Sequence, residues 1–232
     1  TATYNDHGTQ LHELLDKIIA LPGDFRIRVG MTTPNSFAKI LDPMLESMES
    51  PKLYKFIHIP VQAGNDQILS AMRRKYTVQD FKDVVTRLRE AIPEIGISTD
   101  IICGFPGETS EQFQDSLDLV EWLRPDVLNI NRFWERPGTD ASKMPGRLHG
   151  RDKKERSREL TRLWKEIAVD VGKRWIDWEG DILITEHGKR GTKVGRNYVY
   201  KAVAVKTDAP LGSFVKVRVK KSGVGYLVAN EI

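Results

Sequence analysis

One stretch, Gly96-Ile-Ser-Thr-Asp-Ile-Ile-Cys-Gly-Phe-Pro-Gly-Glu-Thr109, constrains the fold of this chain more than any other. From Ile95 to Ile102 it is apolar and largely β-branched, broken only by Ser98, Thr99 and Asp100, the pattern of a buried strand. Gly104, Pro106 and Gly107 then end that strand. Thr109 and Gln112 form a capping box, and Phe113, Leu117, Val120 and Leu123 lie on one stripe of the helix that follows. Strand, glycine turn and capped helix make half of a βαβ unit. The turn stands at the carboxyl end of a parallel strand, where α/β folds bind ligands. Asp100, just before it, is costly to bury without a partner. It reads equally as part of a ligand site or as a hydrogen-bonded aspartate in a tight turn.

The flanking sequence repeats the alternation. Thr9 is placed to cap a helix carrying Leu11, Leu14, Leu15, Ile18 and Ile19, which Pro22-Gly23 ends. Strands are expected over 25–31, 54–61 and 127–133, with a helix from Thr33 to about Met48 between the first two. Gln62-Ala-Gly-Asn65 turns into a short helix, and Thr77 caps a longer one ending before Pro93. A further helix carries Leu160, Leu163, Trp164, Ile167, Ala168 and Val171 at helical spacing. Strands alternating with helices imply a parallel sheet. Four such strands are too few to close a barrel, and a bare apolar edge is a liability. The chain opens at Thr1 without a methionine, so preceding residues are expected.

After Trp178 the period changes to two. Short strands are expected over 182–185, 198–205, 215–219 and 226–229, a small all-β barrel of OB-like type. Charge follows the same division. Residues 1–179 hold 26 basic and 28 acidic residues, whereas 180–232 hold 10 basic and 4 acidic. A basic β-barrel on a near-neutral body points to a polyanion, and RNA is the preferred partner over a merely solvating surface. Lys189, Arg190, Lys193, Arg196, Lys216 and Arg218 are the candidate phosphate contacts, with Lys220 and Lys221 beside them. Tyr198 and Tyr200 are candidate stacking rings.

Other chemistry is excluded by pattern. There is no Walker loop, nucleophile elbow or zincin helix. The five histidines make no metal-ligand spacing. His58 reads as a satisfied core histidine, and the single cysteine, Cys103, as a buried spectator. One cysteine excludes an intramolecular disulfide and suits a reducing cytoplasm. No apolar run is long enough for a membrane span. Gly104 and Gly107 leave a phosphate cradle as an alternative use of the turn.

Four segments together resemble the radical S-adenosylmethionine methylthiotransferases. They are Phe56-Ile-His-Ile-Pro-Val-Gln-Ala-Gly-Asn-Asp66, Ala71-Met-Arg-Arg-Lys-Tyr-Thr77, Thr99-Asp-Ile-Ile-Cys-Gly-Phe-Pro-Gly-Glu-Thr109 and Arg132-Phe-Trp-Glu-Arg-Pro-Gly-Thr139. The tail resembles that family's terminal TRAM domain, an RNA-binding β-barrel. The resemblance implies a partial (β/α) barrel of radical-SAM type over 1–173, incomplete here, and a TRAM barrel over 174–232. It also implies S-adenosylmethionine as cofactor, with Gln62 at the ribose, and Asp100, Ile102 and Gly104 along the adenine. Phe133 and Trp134 would flank the adenine. Arg73, Arg74, Arg132 and Arg136 sit at the same barrel mouth and read equally as holding substrate phosphates or as making exposed salt bridges. It assigns no catalytic side chain.

The family holds a [4Fe–4S] cluster through cysteines in a C-x₃-C-x₂-C pattern, absent here, and thiolates are what such clusters need. This chain alone is therefore expected to be inactive, the carboxy-terminal portion of a longer cytoplasmic enzyme. In that enzyme the resemblance implies reduction of S-adenosylmethionine to a 5′-deoxyadenosyl radical, then addition of sulfur and methyl to the substrate. The wording around Asp100 to Glu108 is most similar to the archaeal and eukaryotic branch, which acts on N6-threonylcarbamoyladenosine near the tRNA anticodon loop. The alternatives are the isopentenyladenosine and ribosomal-protein branches, and a non-catalytic RNA-binding protein. The oligomeric state stays open.

Overall fold

A computed structural model describes residues 1–232. Strands β1 (Asn5–Asp6) and β2 (Thr9–Gln10) form a small hairpin ahead of helix α1 (Leu11–Ile19). Thr9 is thus in a strand, and Gln10 caps α1 in a box with Glu13. Helix α2 (Pro34–Phe37), a 3₁₀ turn and helix α3 (Leu41–Ser47) replace the single helix expected to Met48. Pro43 inside that segment lacks an amide hydrogen, so the segment is built in pieces.

Three parallel strands follow in the order β3 (Phe56–His58), β4 (Gly96–Cys103) and β5 (Val127–Arg132). Between them run α4 (Asp66–Ala71), α5 (Val78–Ala91) and α6 (Ser110–Leu123). Thr77 and Thr109 close the capping boxes of α5 and α6, and Asn65 caps α4. The expected strand over 25–31 is not one: this extended segment meets its neighbour at the Ile27–Leu53 bridge and through the Thr32 amide on His58. Two separate contacts do not make a ladder. The long helix α7 (Gly150–Lys173) packs on β5 and α6. Leu160 and Ile167 of α7 join Ile97, Ile101, Leu117 and Val120 in a core of 29 buried residues on the helix side of the sheet. Three parallel strands with helices on one side make a partial (β/α) barrel.

The tail closes into a five-stranded barrel, in the order β10-β8-β7-β6-β9. Its strands are β6 (Glu179–His187), β7 (Lys193–Arg196), β8 (Ala202–Val205), β9 (Phe214–Ser222) and β10 (Tyr226–Glu231). Strand β7 was not expected. Gly195 supplies its inward position, where a Cβ would come within 2.7 Å of Ile182. The single strand expected over 198–205 is a loop followed by β8, because Tyr200 turns left-handed at φ 61°. Trp175, Val203, Val217 and Leu227 belong to the tail's own core of 11 buried residues.

That loop docks the tail on the amino ends of the sheet. The Lys55 amide donates to the Tyr198 carbonyl at 2.8 Å, and Tyr200 packs edge-on to Tyr54 at 5.0 Å. Lys201 pairs with Asp126 at 3.0 Å, the two side chains only 4% and 7% exposed.

Candidate functional site

Alternate residues of parallel strands point to one face. Register pairs Asp100 with Asn129 and Ile102 with Asn131, so polar residues stack in layers on the concave side of the sheet. In the middle layer the Asp100 carboxylate meets His58 Nε2 at 2.8 Å and accepts from Asn129 Nδ2 at 2.6 Å. Burial acts to raise the Asp100 pKa, but the hydrogen bonds from His58 and Asn129 and the nearby imidazole together bring it below its ordinary value. Asp100 is a satisfied aspartate, one layer below the mouth of the sheet.

Gln62 stands one layer nearer the carboxyl ends. Its amide donates to the Asp100 carbonyl at 2.8 Å and its carbonyl accepts from the Ile102 amide at 2.9 Å. These two bonds hold it against β4 in the left-handed region, at φ 78°, a conformation unfavourable for a side-chain-bearing residue. Gln62 lines a cleft of about 540 Å³ with Ile102, Asn131, Phe133 and Trp134. Phe133 is anchored edge-on to Phe105 at 5.2 Å, whereas Trp134 projects at the rim with 83% of its surface exposed. Apolar wall, aromatic faces and a side-chain amide suit a purine nucleoside.

Arg74, Arg132 and Arg136 line the same cleft. Arg74 Nε is buried without a hydrogen-bond partner, an orphan donor beside a cavity. Arg73 lines an adjoining hollow and is ion-paired with Asp140 at 2.6 Å, both exposed. Such a pair adds little to stability.

Gly104 does not line the cleft. At φ 75° it makes the turn, and a Cβ there would fall 2.4 Å from Lys153 Cγ. Its amide donates to Glu108 Oε2 at 2.7 Å, while the Gly107 amide donates to the Gly146 carbonyl at 2.8 Å. The phosphate-cradle reading therefore fails, since the turn's own carboxylate and a neighbouring carbonyl take these donors. Burial raises the Glu108 pKa, opposed by the Gly104 amide and by Arg156. Glu108, Arg156 and Asn131 are not among the residues that the sequence singles out. The alternation Asn129-Ile130-Asn131 in β5 was the signal for the last of these.

On the tail, Lys216 and Arg218 are exposed and alternate with buried valines, as expected. Arg218 is ion-paired with Glu179 and Arg196 with Glu186, while Lys193 donates to the carbonyls of Asp208 and Ala209. Lys189 and Arg190 stand exposed at the β6–β7 turn and make no ion pair. The two tyrosines are not free stacking platforms. The Tyr198 hydroxyl donates to Glu94 and its ring packs on Trp175, while Tyr200 is held by Tyr54, Phe56 and Arg196. No helix is long and apolar enough to cross a membrane.

Residues 1–120 match the Radical SAM superfamily and residues 179–230 the TRAM domain. A probable threonylcarbamoyladenosine tRNA methylthiotransferase of Archaeoglobus fulgidus is 42% identical over 218 residues, covering 94% of this chain and 51% of that protein. The human threonylcarbamoyladenosine tRNA methylthiotransferase is 39% identical over 225 residues, covering 96% of this chain and 38% of its own length. The chain thus spans about half the length of the archaeal relatives it matches. Among solved structures, coproporphyrinogen III oxidase from Escherichia coli superposes with a TM-score of 0.54 at 16% identity, over 91% of this chain and 50% of that one. At that identity the likeness concerns the fold alone.

Proposed function

Because the chain belongs to the radical SAM superfamily and carries a TRAM domain at its end, we propose that it is the carboxy-terminal portion of a tRNA methylthiotransferase. Its target would be N6-threonylcarbamoyladenosine near the anticodon, in the cytoplasm. The observation that carries this reading is the cleft at the strand carboxyl ends, where Gln62, Ile102, Phe133 and Trp134 converge. The relatives named for that reaction, similar over nearly all of this chain, support the choice of substrate.

S-adenosylmethionine fits the residues present. Gln62 would bind the ribose and Ile102 the adenine face, with Phe133 and Trp134 flanking the ring. The orphan Nε of Arg74 offers a donor to the carboxylate of the methionine moiety. Bound there, and given an electron from a cluster held outside these residues, the cofactor would supply hydrogen abstraction and a methyl group, while the residues of the cleft orient it and exclude water. Asp100 acts from below, through its backbone carbonyl on Gln62, and Gly104 shapes the turn.

An iron–sulfur cluster does not fit these residues. Cys103, the only thiol, is fully buried, and burial pushes its pKa up to about 12. A single neutral thiol cannot hold a cluster. Ligands would come from the remainder of a longer protein, and this chain alone would be inactive.

Mass spectrometry of tRNA nucleosides tests the substrate. Cells lacking the gene should lose the 2-methylthio derivative of threonylcarbamoyladenosine and accumulate its precursor, both reversed by the complete gene. Loss of the methylthio group from isopentenyladenosine or a ribosomal protein instead would move the protein to another branch.

A further inference from the structure

Helix α7 exposes a cationic stripe that neither the cleft nor the tail accounts for. Arg151, Lys154, Arg158, Arg162 and Lys165 recur at spacings of three and four and are all exposed. At 3.6 residues per turn they fall within about 80° of arc along about 21 Å. Arg151 pairs only with Glu155 of its own helix, and the other four make no ion pair. Arg158, Arg162 and Lys165 line a groove of about 470 Å³ with Ser157, Thr161 and Glu166, without an apolar side chain. Like charges at these spacings repel, an effect only partly offset by the exposed Glu155, Glu159 and Glu166 at the edge of the stripe, so the face attracts a polyanion.

The two ends of the stripe say where that polyanion runs. Near the start of α7, Lys153 Nζ donates to the Phe133 carbonyl at 3.3 Å and lies over the Phe133 ring, which ties this turn to the cleft. At its far end Gly172 abuts Ser222, where a Cβ would come within 1.8 Å of the hydroxyl. Ser222 ends β9, directly after Lys220 and Lys221. Helix α7 therefore runs from the cleft at the carboxyl ends of the sheet to the basic barrel at its amino ends, with Lys153 on its core-facing side and the stripe on its solvent side. One border is acidic: Asp152, Glu155 and Glu159 line the groove between α7 and α6, and α6 itself carries four acidic residues and no basic one. This border repels a polyanion and favours the α7 stripe.

We propose that the exposed stripe of α7 is the track on which an RNA phosphate backbone lies between the barrel and the cleft. The proposal rests on the reading of RNA as partner and adds the surface that orients it. Backbone contacts of this kind fix register without reading sequence. Each displaces counterions, so affinity falls with salt in proportion to the phosphates neutralised.

The test measures binding of a fluorescently labelled, unmodified tRNA to the whole chain between 50 mM and 300 mM salt. The variants are R158Q/R162Q/K165Q and, as a control of equal charge, K17Q/K39Q/R87Q on α1, the 3₁₀ turn before α3 and the side of α5 that faces α3, where Arg87 makes only an exposed ion pair with Asp42. Glutamine is a good helix former, so equal melting temperatures are expected for all three proteins. The stripe variant should reduce the slope of log affinity against log salt by about 2, and weaken binding roughly tenfold or more at 0.15 M salt. The control should match the parent. Equal slopes for the stripe variant and the control would overturn the track while leaving RNA as partner. A parent chain that does not bind tRNA at 50 mM salt would overturn the RNA reading itself. Retention of tRNA affinity with loss of binding to an acidic protein segment would reassign the stripe to a protein partner and also overturn the track.

Discussion

Asp100 has a folded pKa below its ordinary 3.8, since its hydrogen bonds to His58 and Asn129 outweigh burial. The unfolded chain therefore binds this proton more readily, and the stability the carboxylate adds is present above pH 3.8 and lost as pH falls through the depressed value. The melting temperature of the parent should fall more steeply below pH 4 than that of Asp100→Asn, and parallel curves would show that the carboxylate adds nothing. Gly104→Ala forces a Cβ into the left-handed region against Lys153. It should cost about 1–2 kcal/mol, read as a melting temperature lower by several degrees. Both residues were legible as necessary to the turn. Their exclusion from the cleft was not, because period two says which face a residue takes but not in which layer it sits. Gln62, Ile102, Phe133 and Trp134 were singled out by the family resemblance and not by periodicity, and the structure brings all four to one cleft. The filling of the turn by Glu108 was hidden, since a glutamate in a glycine turn reads as exposed.

At the scale of elements, periodicity found β4, α5, α6 and α7, and missed β7 and the breaks in 25–31 and 198–205. The missed features depend on single residues: Gly195 as a backbone contact, and Tyr200 as a left-handed turn. The loop carrying Tyr200 also holds the two units together through the buried Lys201–Asp126 pair. Removing one member leaves a charge without its nearest partner, with Arg174 at 3.6 Å from Asp126 as the residual cation. Lys201→Met should destabilise the chain by about 3–5 kcal/mol. Calorimetry should then resolve two transitions where the parent shows one. A single transition at the parent temperature would show that the pair does not couple sheet and barrel.

On the scale of the whole molecule, the cleft opens at the carboxyl ends of the sheet, the β-barrel closes its amino ends, and α7 runs between them. The order of elements announced a parallel sheet followed by a barrel. It did not announce which end of the sheet the barrel would cover, because that rests on single long-range contacts such as Lys55 with Tyr198. The central claim is that the cleft around Gln62 holds an adenosyl group. Titration calorimetry of the chain with S-adenosylhomocysteine tests it most directly. The account predicts saturable binding at one site, weakened about tenfold by Gln62→Ala through the loss of one hydrogen bond, and unchanged by Lys39→Gln on the far surface. Binding that ignores Gln62→Ala, or no heat at millimolar ligand, would contradict it.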